Sequence, residues 1–113
     1  MKYLMLGMIT EAGQQLAGPD LESWMAEIGA WYEKHGGSGK LADAGHQLDG
    51  PDKARTVRAS GVTDGPFMEA KEVLGGYSLL ETATIDEAVE ISKTWPGVDR
   101  GWVEIEVRPV MAF

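Results

Sequence analysis

Near its start the chain carries Tyr3-Leu4-Met5-Leu6-Gly7-Met8-Ile9, seven residues with no charged group among them. Successive side chains of a strand point to opposite faces. A run that is apolar at every position therefore reads as a strand buried on both faces, central in its sheet. The rest of the chain has to supply neighbours on both sides of it. At 113 residues there is material for one domain with one core, spanning residues 1–113. The apolar run is too short to cross a bilayer, and it is not followed by the small-residue cleavage site of a secretory signal. The chain has no cysteine, which excludes disulfides and thiolate chemistry. A cytoplasmic protein without a membrane segment is the expectation.

The next elements follow from spacing. Thr10 to Gly18 is polar and glycine-containing and reads as a loop. Leu21, Trp24, Met25, Ile28, Trp31 and Tyr32 fall at offsets 0, 3, 4, 7, 10 and 11, one apolar stripe of an α-helix. Pro19 suits its first turn, and Gly36-Gly37 its end. Two tryptophans on that stripe can line a ligand pocket, but core packing is the simpler use of them. Leu41 to Leu48 reads as a second strand, interrupted by Gly45, and Asp49-Gly50-Pro51-Asp52 as a turn. Arg55 to Ser60 alternates as a third strand, and Gly76 to Thr82 reads as a fourth. Thr84-Ile85-Asp86-Glu87 is a capping box that opens a second helix, with Ile85, Ala88, Val89, Ser92 and Trp95 on its inner face. Pro96-Gly97 stops it. Trp102 to Arg108 alternates again, with Val103, Ile105 and Val107 on one face.

The order β-α-β-β-β-α-β, with one middle strand short or peripheral, predicts an α+β fold. It is a ferredoxin-like, split βαβ arrangement with two helices on one face of an antiparallel sheet. Val103, Ile105 and Val107 belong under the helices. The open face should then carry Thr56, Arg58, Tyr77, Trp102, Glu104, Glu106 and Arg108. Aromatics mixed with paired charges are compatible with a face that is covered by a second copy.

One stretch departs from this pattern. Val62 to Tyr77 contains Asp64-Gly65-Pro66-Phe67, then Glu69, Lys71-Glu72 and Leu74-Gly75-Gly76-Tyr77. Asp-Gly followed by Pro turns the chain sharply. This run resembles the DGPF motif of the YCII-related family, ungapped over about sixteen residues, with looser similarity along nearly the whole chain. The resemblance implies a homodimer of the dimeric α/β-barrel type. It also implies a bacterial setting in which such domains occur beside or fused to extracytoplasmic-function sigma factors. The wider family carries a histidine–aspartate pair associated with catalysis, its histidine early in the first helix. Here Leu21, Glu22, Ser23 and Trp24 occupy that region and His35 stands at the far end, so the pair does not carry over.

The candidate residues each admit two readings. Asp64 can act as a general acid or base if burial raises its pKa, or it can cap its own turn by accepting amide hydrogens. Glu69, Lys71 and Glu72 can orient a polar ligand, or form a solvated cluster on one helical turn. Arg58 on an inner sheet face needs an acceptor, either Glu104 and Glu106 or a ligand anion. Phe67 and Tyr77 are aromatic candidates for the ligand-binding set, and His46 is the only histidine in an expected strand. A single histidine makes a poor metal site, and His35 needs only the helix dipole. No phosphate loop, dinucleotide fingerprint, zinc spacing or nucleophile elbow occurs, so no cofactor and no metal is expected. The net charge of −8 repels a phosphate backbone, so direct nucleic-acid binding is not expected either. The function expected is a homodimeric, regulatory module that binds a small polar ligand near the DGPF motif. The alternative is an isomerase or lyase acting on a small acidic compound, with Asp64 as acid–base and Arg58 or Lys71 holding the substrate.

Overall fold

Strand β1 (Lys2–Ile9) lies inside a four-stranded antiparallel sheet of order β2-β5-β1-β6, flanked by β5 (Val73–Glu81) and β6 (Val103–Pro109). The computed structural model describes residues 1–65 and 71–112. Strand β2 (Leu41–Gln47) pairs with the outer side of β5. A long helix, α2 (Gly18–Gly36), connects β1 to β2, and α3 (Ile85–Lys93) connects β5 to β6. This is the ferredoxin-like α+β topology: two βαβ units interleaved so that the first strand of each lies in the middle of the sheet.

Alternation along the strands sorts the sheet into two faces. Tyr3 and Met5 of β1, Ser78 and Leu80 of β5 and Val103 of β6 are buried. Two apolar clusters lie on this side. Trp31 packs with Tyr3, Met5, Leu80 and Ala88, while Trp24 and Ile28 pack with Val103. Tyr32, Trp95 and Ile105 touch both clusters and join them. The tryptophans of the α2 stripe are thus core residues. Each large aromatic buries roughly 150–250 Å², contributing on the order of 4–6 kcal/mol at about 25 cal/mol per Å². Leu21 and Met25, at the margin of the same stripe, stay exposed.

Several local features differ from the sequence expectation. The polar segment after β1 is not all loop. Thr10 caps a short helix, α1 (Glu11–Gln14), by accepting from the Gly13 amide, and donates its hydroxyl to the Gly101 carbonyl. The third expected strand, Arg55 to Ser60, ends early: β3 (Arg55–Arg58) turns at Ala59-Ser60 and pairs with a further strand, β4 (Gly61–Asp64). This two-stranded hairpin follows the 3-10 turn at Pro51–Lys53 and is not part of the main sheet. Thr56 and Arg58 are therefore not on the open face with Glu104 and Glu106. Trp102 is not there either. It precedes β6 and packs edge-on against Trp24, centroids 5.6 Å apart, with the Arg100 guanidinium 4.1 Å above its ring. The face opposite the helices instead carries Leu4, Leu6, Met8, Leu74, Tyr77 and Leu79 beside Glu104, Glu106 and Arg108, as the pairing register dictates.

The expected capping box is formed. Thr84 accepts from the Glu87 amide at 3.2 Å, and the Glu87 carboxylate reaches back to the Ala83 amide, also at 3.2 Å. Among the described residues no helix is long and apolar enough to cross a membrane.

Candidate functional site

Gly7 and Gly76 are direct cross-strand partners, and Gly7 also faces Ile105 of β6. Their neighbours Met5 and Ser78 are buried beneath the helices, so the two glycines bare the backbone of the sheet on its covered face. A Cβ on Gly7 would find only ordinary contacts, the nearest at 3.7 Å. On the helix above, Gly29 has nothing within 4 Å of where its Cβ would stand. Between them lies a cavity of about 340 Å³, bounded by Trp24, Met25, Ile28, Tyr32, Trp95 and Ile105. That volume falls in the roughly 300–1,000 Å³ range of small-molecule sites.

The walls are mostly apolar, with Gln47 at the β2 edge and one polar seam within. Ser78 Oγ stands 2.7 Å from the Ala44 carbonyl and 2.7 Å from Tyr32 Oη. A hydroxyl has a single proton, and the carbonyl can only accept. Ser78 therefore donates to Ala44, and Tyr32 donates to Ser78. Tyr32 Oη in turn accepts from Trp95 Nε1 at 3.3 Å. The result is a one-way chain, Trp95 to Tyr32 to Ser78 to Ala44, in which every donor is used. The indole N–H of Trp24 is also taken, by the Pro96 carbonyl at 2.8 Å. Among the described residues of the wall there is no Asp, Glu, Lys or Arg.

The edge strand gives way to open the mouth. The register of β2 against β5 shifts between Asp43 and His46, and Gly45 in that interval has φ +71°. A Cβ there would lie 1.8 Å from the Tyr77 carbonyl oxygen. Only glycine allows the two backbones to approach so closely.

Two of the sequence candidates come together at this site. His46 and Tyr77 both border the cavity, but they are register partners whose rings, edge-to-face with centroids 6.0 Å apart, stand on the uncovered side of the sheet, so they meet the cavity along the strand edge and not with their side chains. The others lie elsewhere. Asp64 and Glu72 border a second, more open cleft with Leu48, Pro51, Gly65 and Leu74. The Asp64 side chain is 90% exposed and ion-paired with Arg55 Nε at 3.2 Å, so its described surroundings do not bury it as the acid–base reading requires. In the same region Lys53, at 2.9 Å, and then the Gly50 amide hold the Asp49 carboxyl below its usual range. Arg58 donates to the Thr63 hydroxyl at 2.8 Å within the hairpin. Lys71 and Glu72 are exposed residues of a bend entering β5, not of a helical turn. The Lys71 carbonyl accepts from Gln14 Nε2 at 2.8 Å, which ties the bend to α1. Pro66, Phe67 and Glu69, and any amides in that segment that Asp64 caps, lie outside the described residues. No group of metal-ligating side chains forms among the described residues.

The whole chain, residues 1–113, matches the YCII-related domain. The chain belongs to the YCII-related family. A relative in Rhizobium meliloti (strain 1021), described as an uncharacterized protein, is 32% identical over 95 residues, covering 81% of this chain and 77% of that one.

The cavity of this YCII-related domain involves residues that sequence reasoning did not single out: Gly7, Gly29, Gly76, Tyr32, Ser78 and Trp95. The signal was present but easy to miss. Gly7 interrupts the most hydrophobic strand, and a glycine inside a central strand marks a place where something approaches the backbone closely.

Proposed function

We propose that this YCII-related domain is a small-molecule binding module, a homodimer whose ligand occupies the cavity between α2 and the sheet. One observation carries the reading. A side chain is missing at Gly7 in the middle of an otherwise aromatic-lined core, where protein interiors are ordinarily close-packed, while its partner Gly76 lets the His46 carbonyl approach to 3.0 Å of where a Cβ would stand. The ligand site lies under α2, and the strand edge at His46 and Tyr77 forms its rim, with both rings on the far side of the sheet. Asp64, Arg58 and Lys71, with Phe67 and Glu69 beside them in the sequence, are accessory candidates near the hairpin and the second cleft. The exposed Leu74 and Tyr77, beside the half-buried Leu4, Leu6 and Leu79 of the uncovered sheet face, support dimerisation through that face. A cytoplasmic, bacterial, sigma-factor-linked setting is part of this reading through family resemblance. With a net charge of −8, regulation would run through ligand and protein contacts, not through DNA.

Native mass spectrometry of the protein incubated with a bacterial metabolite extract tests the proposal. Wild type should carry a small adduct that Gly7→Val, which fills the floor of the cavity, does not. An adduct on both proteins, or on neither, would count against it.

A further inference from the structure

We infer that the ligand is a neutral, planar, largely apolar ring compound that carries one hydrogen-bond donor, a phenolic O–H or an aromatic N–H. The inference rests on the reading of the α2 cavity as the binding site.

Three observations carry it. The described wall offers no acidic or basic side chain apart from the His46 imidazole, and His46 is the register partner of Tyr77 on the opposite face of the sheet. A buried ion without a partner is strongly disfavoured, so the ligand is uncharged. The floor is the bare pleated backbone of Gly7 and Gly76, and the opposite wall is built from Trp24, Tyr32 and Trp95. Such a slot receives a flat ring, with the aromatic side chains meeting it edge-on or offset. The polar seam then sets the sense of the hydrogen bond. Trp95 Nε1, Tyr32 Oη and Ser78 Oγ have each spent their proton within the chain that ends at the Ala44 carbonyl. Ser78 is wholly buried, so the acceptor left for a ligand is the oxygen of the half-buried Tyr32, which has two lone pairs and one described donor. The seam offers acceptors only. A ligand that brings a carbonyl or an ether to the seam finds no donor there, the Gln47 amide standing apart at the β2 edge, and one that brings an O–H or N–H finds an acceptor.

Isothermal titration of the full chain with 2-naphthol, 2-methoxynaphthalene and 2-naphthoate tests this. 2-Naphthol should bind about three- to ten-fold more tightly than the methyl ether, the ratio expected for one net hydrogen bond. 2-Naphthoate should bind most weakly or not at all. Tyr32→Phe should bring 2-naphthol and its ether to within about two-fold of one another. Because the ratio in wild type is itself decisive, a poorly folded Tyr32→Phe does not rescue the idea. If the two neutral compounds bind wild type equally and both are lost in Gly7→Val, the cavity is a site but the donor inference is wrong. Tighter binding of 2-naphthoate overturns the inference in the same way. If nothing binds, or if binding is unaffected by Gly7→Val, the reading of the cavity as the ligand site fails as well.

Discussion

Gly7 of β1 and Gly76 of β5 face one another across the ladder with Ile105 beside them, leaving a floor without side chains under the aromatic residues of α2 and α3's trailing turn. If this gap is kept for a ligand, closing it should help the empty protein. Gly7→Val adds a strand-favouring side chain where a Cβ meets nothing closer than 3.7 Å. Cavity filling commonly gains about 0.5–2 kcal/mol, and a gain in that range is expected here. Urea unfolding of both proteins measures it. A loss of stability would mean that the space is already needed by its neighbours.

Gly45 should be far less tolerant. Its positive φ, and the 1.8 Å that would separate an added Cβ from the Tyr77 carbonyl oxygen, combine backbone strain with a clash. Left-handed backbone costs an L-residue roughly 1–2 kcal/mol, and overpacking about 1–3 kcal/mol. Gly45→Ala should therefore lose at least about 2 kcal/mol. A melting temperature equal to that of wild type would show that β2 can slide past β5 without this bulge.

The capping box makes a prediction in pH. Lys40 first, and the Ala83 amide second, hold the Glu87 carboxyl below its ordinary value of 4.5. A carboxyl lowered by folding contributes stability that is fully present above its unfolded value and is lost as pH falls through its folded one. The difference in melting temperature between wild type and Glu87→Gln should thus be open at neutral pH and close below pH 4.5. Thr84→Ala removes a hydroxyl with no proton to titrate there. It should cost about 0.5–2 kcal/mol with little dependence on pH. Thermal melts of the three proteins from about pH 3 to pH 7 separate the two behaviours, and a constant Glu87→Gln difference would contradict the assignment.

Association can be read by sedimentation. The chain should run at about twice 12.2 kDa at micromolar concentration. Leu6 lies between Tyr77 and Glu106 on the uncovered face, away from the buried clusters, so Leu6→Glu should leave the fold intact and yield a monomer. A wild-type monomer, or a dimer that survives Leu6→Glu, would move the interface elsewhere or remove it.

Regular periodicity was the legible part of this chain. The apolar run at Tyr3 to Ile9, the α2 stripe, the Thr84 box and the alternation of Val103, Ile105 and Val107 each repeat one physical requirement over several residues, and each element forms where it was read, although β1 is buried on its helix-covered face only and Leu21 and Met25 of the stripe stay exposed. Features set by a single contact were not legible. Trp102 alternates correctly with Val103 in sequence, yet it lies beyond the strand and is drawn to Trp24 and Arg100. The hairpin β3–β4 has the alternation of a sheet strand, and nothing local says which sheet it joins. The glycines Gly7 and Gly76 stand 69 positions apart and become a site only through register. The DGPF stretch drew attention through its unusual composition, whereas the cavity is built from ordinary residues with a few side chains left out.

The place of β1 in the sheet also has a consequence in time. Tyr3 pairs with Leu80 on one side and with Pro109 on the other, roughly eighty and a hundred residues further along. Closing loops of that length before any contact rewards them slows folding. During synthesis, at about 5–20 residues per second, the most apolar strand of the domain has no partner until the chain is nearly finished. The nascent domain therefore offers a bare hydrophobic segment for several seconds before its neighbours in the sheet can cover it.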